Sequence, residues 1–221
     1  MEGREVAAML DGLASGLEVP LAFIRAVELL KKERGWEAAT DDDRKILWAA
    51  EQGLRQIETV RLLASAGAAS DGVLVPEPVA VRGVLEEVKG DFGQFWRLVD
   101  EQPEIIATRE QLLVDVNRRA LKCFLASLLA ESLQFASAGR LFARKVQSKI
   151  RVGVRDFGPA LPRDFSYEKN QTLPLRPKSR ASFLIIDELV RVMNVRLEKT
   201  SHRDGVSFFV ELPESRQVRL L

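Results

Sequence analysis

Residues 151–159 read Arg-Val-Gly-Val-Arg-Asp-Phe-Gly-Pro. With Lys149 and Ile150 ahead of them, they alternate with a period of two and predict a strand from Lys149 to Arg155. The Asp-x-Gly-Pro that follows suits a bend from strand into loop. Three more stretches share this rhythm: Leu141 to Val146, Arg196 to Lys199 and Val206 to Leu212, the last preceded by a hairpin turn at Arg203-Asp204-Gly205. A helix from Ala181 to Met193 separates the strand pairs, and a long, mostly apolar helix is expected from Val116 to Phe135. Further upstream, Val79 to Val88 reads as helix, and Glu104 to Ile106 opens a short strand. Helices on one face of a mixed sheet make an α/β sandwich.

The first third of the chain has a different period. Leu10, Leu13, Leu17, Leu21 and Ile24, then Val27 and Leu30, recur at helical spacing and predict one long amphipathic helix ending near Gly35. Thr40-Asp41-Asp42-Asp43 caps a second, with acids where the helix dipole favours them. Its inner positions Ile46, Ala50, Gly53, Ile57, Val60 and Ala64 keep a heptad rhythm, and Leu47, Leu54 and Leu62 offer a second seam. One hairpin buries too little by itself, so two hairpins are expected to pair as a dimeric four-helix bundle. Residues 67 to 78, rich in Ala, Gly, Ser and Pro, form a connector. The expected organisation is α+β: a dimerisation hairpin (1–68), a linker (69–78), the α/β sandwich (79–215) and a tail (216–221).

Composition limits the function classes. Thirty-three basic and thirty-two acidic residues give a formal charge of +1, so no global field points to nucleic acid or an anionic membrane. Charged residues interrupt every long apolar run, and Met1-Glu2-Gly3-Arg4-Glu5 lacks the order of a signal peptide, which predicts a cytoplasmic protein. The single cysteine, Cys123, lies in an apolar run and reads as a small buried hydrophobe. No Cys/His metal spacing and no P-loop occur, so no metal is expected. Glu86-Glu87 and Asp41-Asp42-Asp43 are explained by a helix surface and a helix start.

Several strings, in this order, resemble the core of a bacterial sensor histidine kinase, a phosphoacceptor hairpin followed by a GHKL-type ATPase domain. Ala14-Ser15-Gly16-Leu17-Glu18-Val19-Pro20-Leu21 is similar to the phosphoacceptor box, usually Ser-His-Glu-Leu-Arg-Thr-Pro-Leu. Leu74 to Val79 and Leu85 to Val88 resemble the approach to the nucleotide domain. Residues 151–159 resemble its first glycine box, and Phe208 to Pro213 its closing strand.

The resemblance implies where the chemistry belongs, and the residues there differ. Ser15 stands at the position of the phosphorylated histidine, and an unactivated hydroxyl is a poor nucleophile. The one histidine, His202, falls just before a predicted turn, where a solvated turn residue is expected. The string Ser127 to Phe135 resembles a helix that in the family carries an Asn holding Mg²⁺; both asparagines of that string are replaced, by Ser127 and Glu131, and Gln134 replaces a basic residue near phosphate. Without that cation a carboxylate faces the triphosphate with like charge. Asp156, which in the family accepts from the adenine amino group, survives together with Gly158, while Ala160 replaces the second glycine. The later glycine box matches Lys178 to Ser182 and holds no glycine, so side chains obstruct phosphate approach. Lys169, Arg176, Lys178 and Arg180 lie in or beside a shortened lid and read as a solvated polar loop.

These residues imply a degenerate pocket (Glu131, Gln134, Asp156, Gly158, Ala160), no bound cofactor and no enzyme activity. The expected function is a pseudokinase acting by protein contact, binding a response-regulator receiver or a partner kinase around Ser15, Leu17, Phe23 and Arg25. A nucleotide-binding sensor or weak ATPase using Asp156 and Glu131 unconventionally is the alternative, and a dimeric co-regulator a third. Direct nucleic-acid binding is not expected, since it requires a concentrated basic face.

Overall fold

A computed structural model describes residues 14, 17–18, 21–26, 41–67, 74–96, 111–135, 139–156 and 177–215. The chain divides into two compact units, Met1–Val73 with Gln94–Glu101, and Leu74–Gly93 with Gln102–Leu221.

In the first unit, helix α1 (residues 21–26) lies beside α2 (Asp41–Gly67). They run antiparallel, since Glu18 pairs with Arg61 and Arg25 with Glu51. Close packing is possible because Gly53 has no side chain: a Cβ there would come within 2.6 Å of Leu21 Cδ1. Ala50, Ile57 and Ala64, seven residues apart, are buried together with Leu47 and Leu62. Ile46 departs from the expected inner seam: it is 44% exposed, because one α1 covers only one stripe of α2. The buried Thr59 satisfies its hydroxyl on the Arg55 carbonyl one turn back. The predicted end of the first helix near Gly35 lies outside the described residues.

The second unit opens with a short strand that the helical reading of Val79 to Val88 omitted. Pro76 and Pro78 favour extended backbone, and β1 (Glu77–Ala80) pairs antiparallel with β2 (Leu113–Val116) before α3 (Val81–Trp96) begins. Val116 therefore closes a strand rather than opening a helix. Asn117 makes the change of direction: its Oδ1 accepts from the Ala120 amide at 3.1 Å, capping α4 (Arg118–Phe135). The strand expected at Glu104 to Ile106 lies outside the described residues.

Four strands make the main sheet: β3 (Gly139–Val146), β4 (Lys149–Asp156), β5 (Leu197–His202) and β6 (Gly205–Pro213), in the order β3-β4-β6-β5. Every pairing among these described strands is antiparallel, so the sheet is not the mixed one expected. The reason is connectivity: tight turns join β3 to β4 and β5 to β6, and the crossover through α5 (Pro177–Val192) sets β6 antiparallel to β4. Gln147 adopts φ 54° to turn the first hairpin. Gly153 sits opposite Phe209, where a Cβ would lie 2.6 Å from the Phe209 Cα.

One face of the sheet carries Leu141, Ala143, Ile150, Val152, Val154, Val210 and Leu212, all buried, and α4 packs on β3, β4 and α5. Phe124, Leu125 and Leu129 of α4 are fully buried; each such side chain contributes roughly 1.5–3 kcal/mol. Cys123 is buried in the same helix, as the sequence predicts. Helix α5 ends in a Schellman cap: Asn194, at φ 54°, donates to the Arg191 carbonyl, and Val195 to that of Val190. No helix among the described residues is long and apolar enough to cross a membrane.

Candidate functional site

The end of β4 decides what the retained aspartate can do. Asp156 is the last residue of the strand, paired with Gly139, and its Oδ1 accepts a hydrogen bond from the Val206 amide at 2.7 Å. Val206 starts the run of β6 just beyond Gly205, whose φ of 151° suits glycine and whose missing Cβ leaves Asp156 Oδ1 room; an added one would lie 2.8 Å away. Burial pushes the Asp156 carboxyl above its ordinary value, opposed by the Val206 hydrogen bond and the positive charges of Arg155 and His202.

Next to it, Arg155 Nη2 bonds Asp204 Oδ1 at 2.7 Å, and that hydrogen bond holds the Asp204 carboxyl below the usual range. His202 is not the solvated turn residue expected. It ends β5, half-buried, with Nε2 2.9 Å from the Oγ of Ser207, itself 6% exposed. The partner lies across the hairpin, which places the imidazole on the sheet rather than in the turn. Asp156, Arg155, Asp204, His202 and Ser207 thus all lie at the turn end of the β5–β6 hairpin.

Structural comparison places the fold among known proteins. Full-length histidine kinase ShkA, solved with AMPPNP, superposes with a TM-score of 0.59 at 19% identity, over 94% of this chain and 46% of its own. Acinetobacter baumannii histidine kinase AdeS gives 0.54 at 15% identity, over 89% and 96%. The catalytic domain of histidine kinase ThkA gives 0.53 at 18% identity, over 64% and 98%. The fold is that of a histidine kinase core. The chain spans about half the length of the ShkA chain, and no family model or curated protein matches the sequence. At such identities the likeness shows fold and leaves chemistry to the residues.

In this kinase-like core, Glu131 lies on α4 and is 6% exposed, on the turn after the half-buried Ser127. Gln134 follows in the same helix, three residues on; its side chain, like Gly158, Ala160, Lys169 and Arg176, is outside the described residues. Residues Lys178 to Ser182, which the sequence reading sets at the later glycine box, are helical, because α5 already begins at Pro177, a favoured first helical residue. Among the described residues no cluster of His, Cys, Asp and Glu could hold a metal ion.

Of the stem residues, Ser15 is outside the described ones. Leu17 and Phe23 are 55% and 69% exposed, and Arg25 bonds Glu51. Sequence reasoning missed the Val206 partner of Asp156, 50 residues away, and the Ser207 partner of His202, five residues away across the expected hairpin turn. The available signal was Gly205: a glycine directly before a β-branched strand marks a close backbone approach.

Proposed function

We infer that this chain is a catalytically inactive histidine kinase-like protein that acts in two-component signalling by touching other proteins. The observation that carries this reading is the location of its one imidazole. His202 is bonded to Ser207 in the sheet, while Ser15 stands where the resemblance requires the acceptor histidine. Phosphoryl transfer to nitrogen needs a ring on the stem. The engagement of Asp156 by the Val206 amide supports the same conclusion, since it gives that carboxylate a structural task.

The working surface is the stem. Leu17, Phe23 and Ile24 leave exposed apolar surface on the stem suited to helix-on-helix contact, and the exposed Ile46 suits pairing of two hairpins as a homodimer. The partner is a response-regulator receiver or a second kinase. Purified chain incubated with radiolabelled ATP and Mg²⁺, then with a receiver, is expected to stay unlabelled and to bind that receiver in a pull-down that Phe23→Asp abolishes. Stable label that passes on to a receiver aspartate would overturn the reading.

A further inference from the structure

The balanced charge of the chain conceals a segregated surface. In an antiparallel sheet, directly paired residues share a face and successive residues alternate. The face opposite the buried Leu141, Val152 and Val210 therefore carries Arg140 and Arg144 from β3, Lys149, Arg151 and Arg155 from β4, and only Glu198 and Glu211 as acids on β5 and β6. Five cations against two carboxylates contrast with +1 for the whole chain. Asp204, in the turn, offsets Arg155.

Glu211 serves two cations at once, Lys149 at 3.0 Å and Arg151 at 2.8 Å, so these cations outnumber the acid between them. Lys149 keeps 59% of its side chain exposed. Arg144 is exposed and has no ion pair among the described residues. Of the two aromatic residues on this face, Phe209 is 3% exposed beneath the Arg151 guanidinium, 4.9 Å over its ring, and Phe142, 6.3 Å from it, is half-buried. That difference selects the partner. Base stacking needs open rings, whereas forked guanidinium groups match carboxylates.

We propose that the outer face of the sheet, centred on Arg144, Lys149 and Arg151, is an interaction surface for an acidic segment of a partner protein. It belongs to the second unit, and the proposal does not rest on the stem reading. Guanidinium rows held by sheet geometry present their donors at fixed spacing, so an extended acidic segment lies across the strands and pairs with successive rows.

Fluorescence anisotropy of a labelled polyglutamate peptide of about 20 residues, at about 50 mM and about 300 mM sodium chloride, tests this with the full chain. Binding at low salt that weakens at high salt is expected. Arg144→Glu with Lys149→Glu weakens it about tenfold or more. The control reversal Arg82→Glu with Lys89→Glu, on the exposed side of α3, changes charge equally and leaves affinity within about twofold. Helix α3 is tied to α4 by Glu87–Arg118 and Asp91–Lys122, away from this face. Phe23→Asp leaves the peptide bound, which separates this result from the stem reading. Absence of peptide binding, equal loss in both reversals, or tighter binding of an oligothymidylate of about 20 nucleotides would each overturn the proposal. If the double reversal lowers thermal stability, the single alanine variants at Arg144 and Lys149 give the same comparison in smaller steps.

Discussion

Asp156 holds the Val206 amide at 2.7 Å, and this bond joins the end of β4 to the start of β6. A carboxylate that the sequence reads either as a turn residue or as a surviving adenine contact acts in the fold as a clamp on the closing hairpin. Removing the acceptor leaves a buried amide unsatisfied, which costs about 1–3 kcal/mol. Urea denaturation of Asp156→Ala should show that loss, while Asp156→Asn, which keeps an acceptor oxygen, should retain most of it.

The same carboxyl gives stability a distinctive pH dependence. Its folded value is raised, chiefly by burial, so between the ordinary value and the raised one the native state binds more protons than the unfolded chain. This contribution therefore weakens stability as pH rises through that window. Asp204, Glu188 and Glu211 act the other way: hydrogen bonds from Arg155, from Arg191, and from Lys149 with Arg151 lower their values. Their support is present above the unfolded values and is lost as pH falls. Stability curves of the native chain and Asp156→Asn should diverge as pH rises through the Asp156 titration, the asparagine variant gaining; parallel curves would contradict the assignment.

Gly205→Ala should be costlier than an ordinary turn substitution. The new Cβ meets the Asp156 carboxylate at 2.8 Å and must be carried at φ 151°. Strain of about 1–3 kcal/mol is expected, read as a lowered Tm in calorimetry with the far-ultraviolet spectrum unchanged.

How much of this was legible beforehand differs by element. The four strands of the main sheet follow a period of two, and their expected ranges fall inside the observed ones apart from Arg196. Strands β1 and β2 did not announce themselves: four residues give no periodicity, and Leu112 to Val116, broken only by Asp115, runs into the helix pattern beyond it. The clamp on Asp156 depends on β4 and β6 becoming neighbours across 50 residues, which local spacing cannot carry, whereas the Ser207 partner of His202 lies across a hairpin whose turn the sequence does signal. Ile46 looked internal because heptad rhythm marks a stripe without saying how much of it one neighbouring helix covers.

Installing the missing ring is not expected to restore catalysis. Ser15→His supplies a nucleophile, but Glu131 and Gln134 still replace the residues that the resemblance assigns to metal and phosphate, and residues 178–182 are already helical. Autoradiography of that variant after incubation with ATP and Mg²⁺ should remain blank, and titration calorimetry of the native chain with the same ligands should give no binding heat. Measurable heat in the native chain would favour the nucleotide-sensor alternative.

Core packing should respond in the usual way. Leu129→Ala opens a cavity beneath β3 and β4, where the native side chain is fully buried, and should cost about 2–5 kcal/mol. Ile46→Lys, at a site 44% exposed, should leave the folded monomer nearly as stable and shift light scattering from dimer to monomer.

Because His202 is the only imidazole in 221 residues, its ring protons give a proton magnetic resonance signal that needs no assignment. Sitting 2.9 Å from Ser207, that signal reports whether the β5–β6 ribbon is zipped or frayed. The imidazole on which the proposed inactivity turns thus provides a built-in spectroscopic gauge of the sheet.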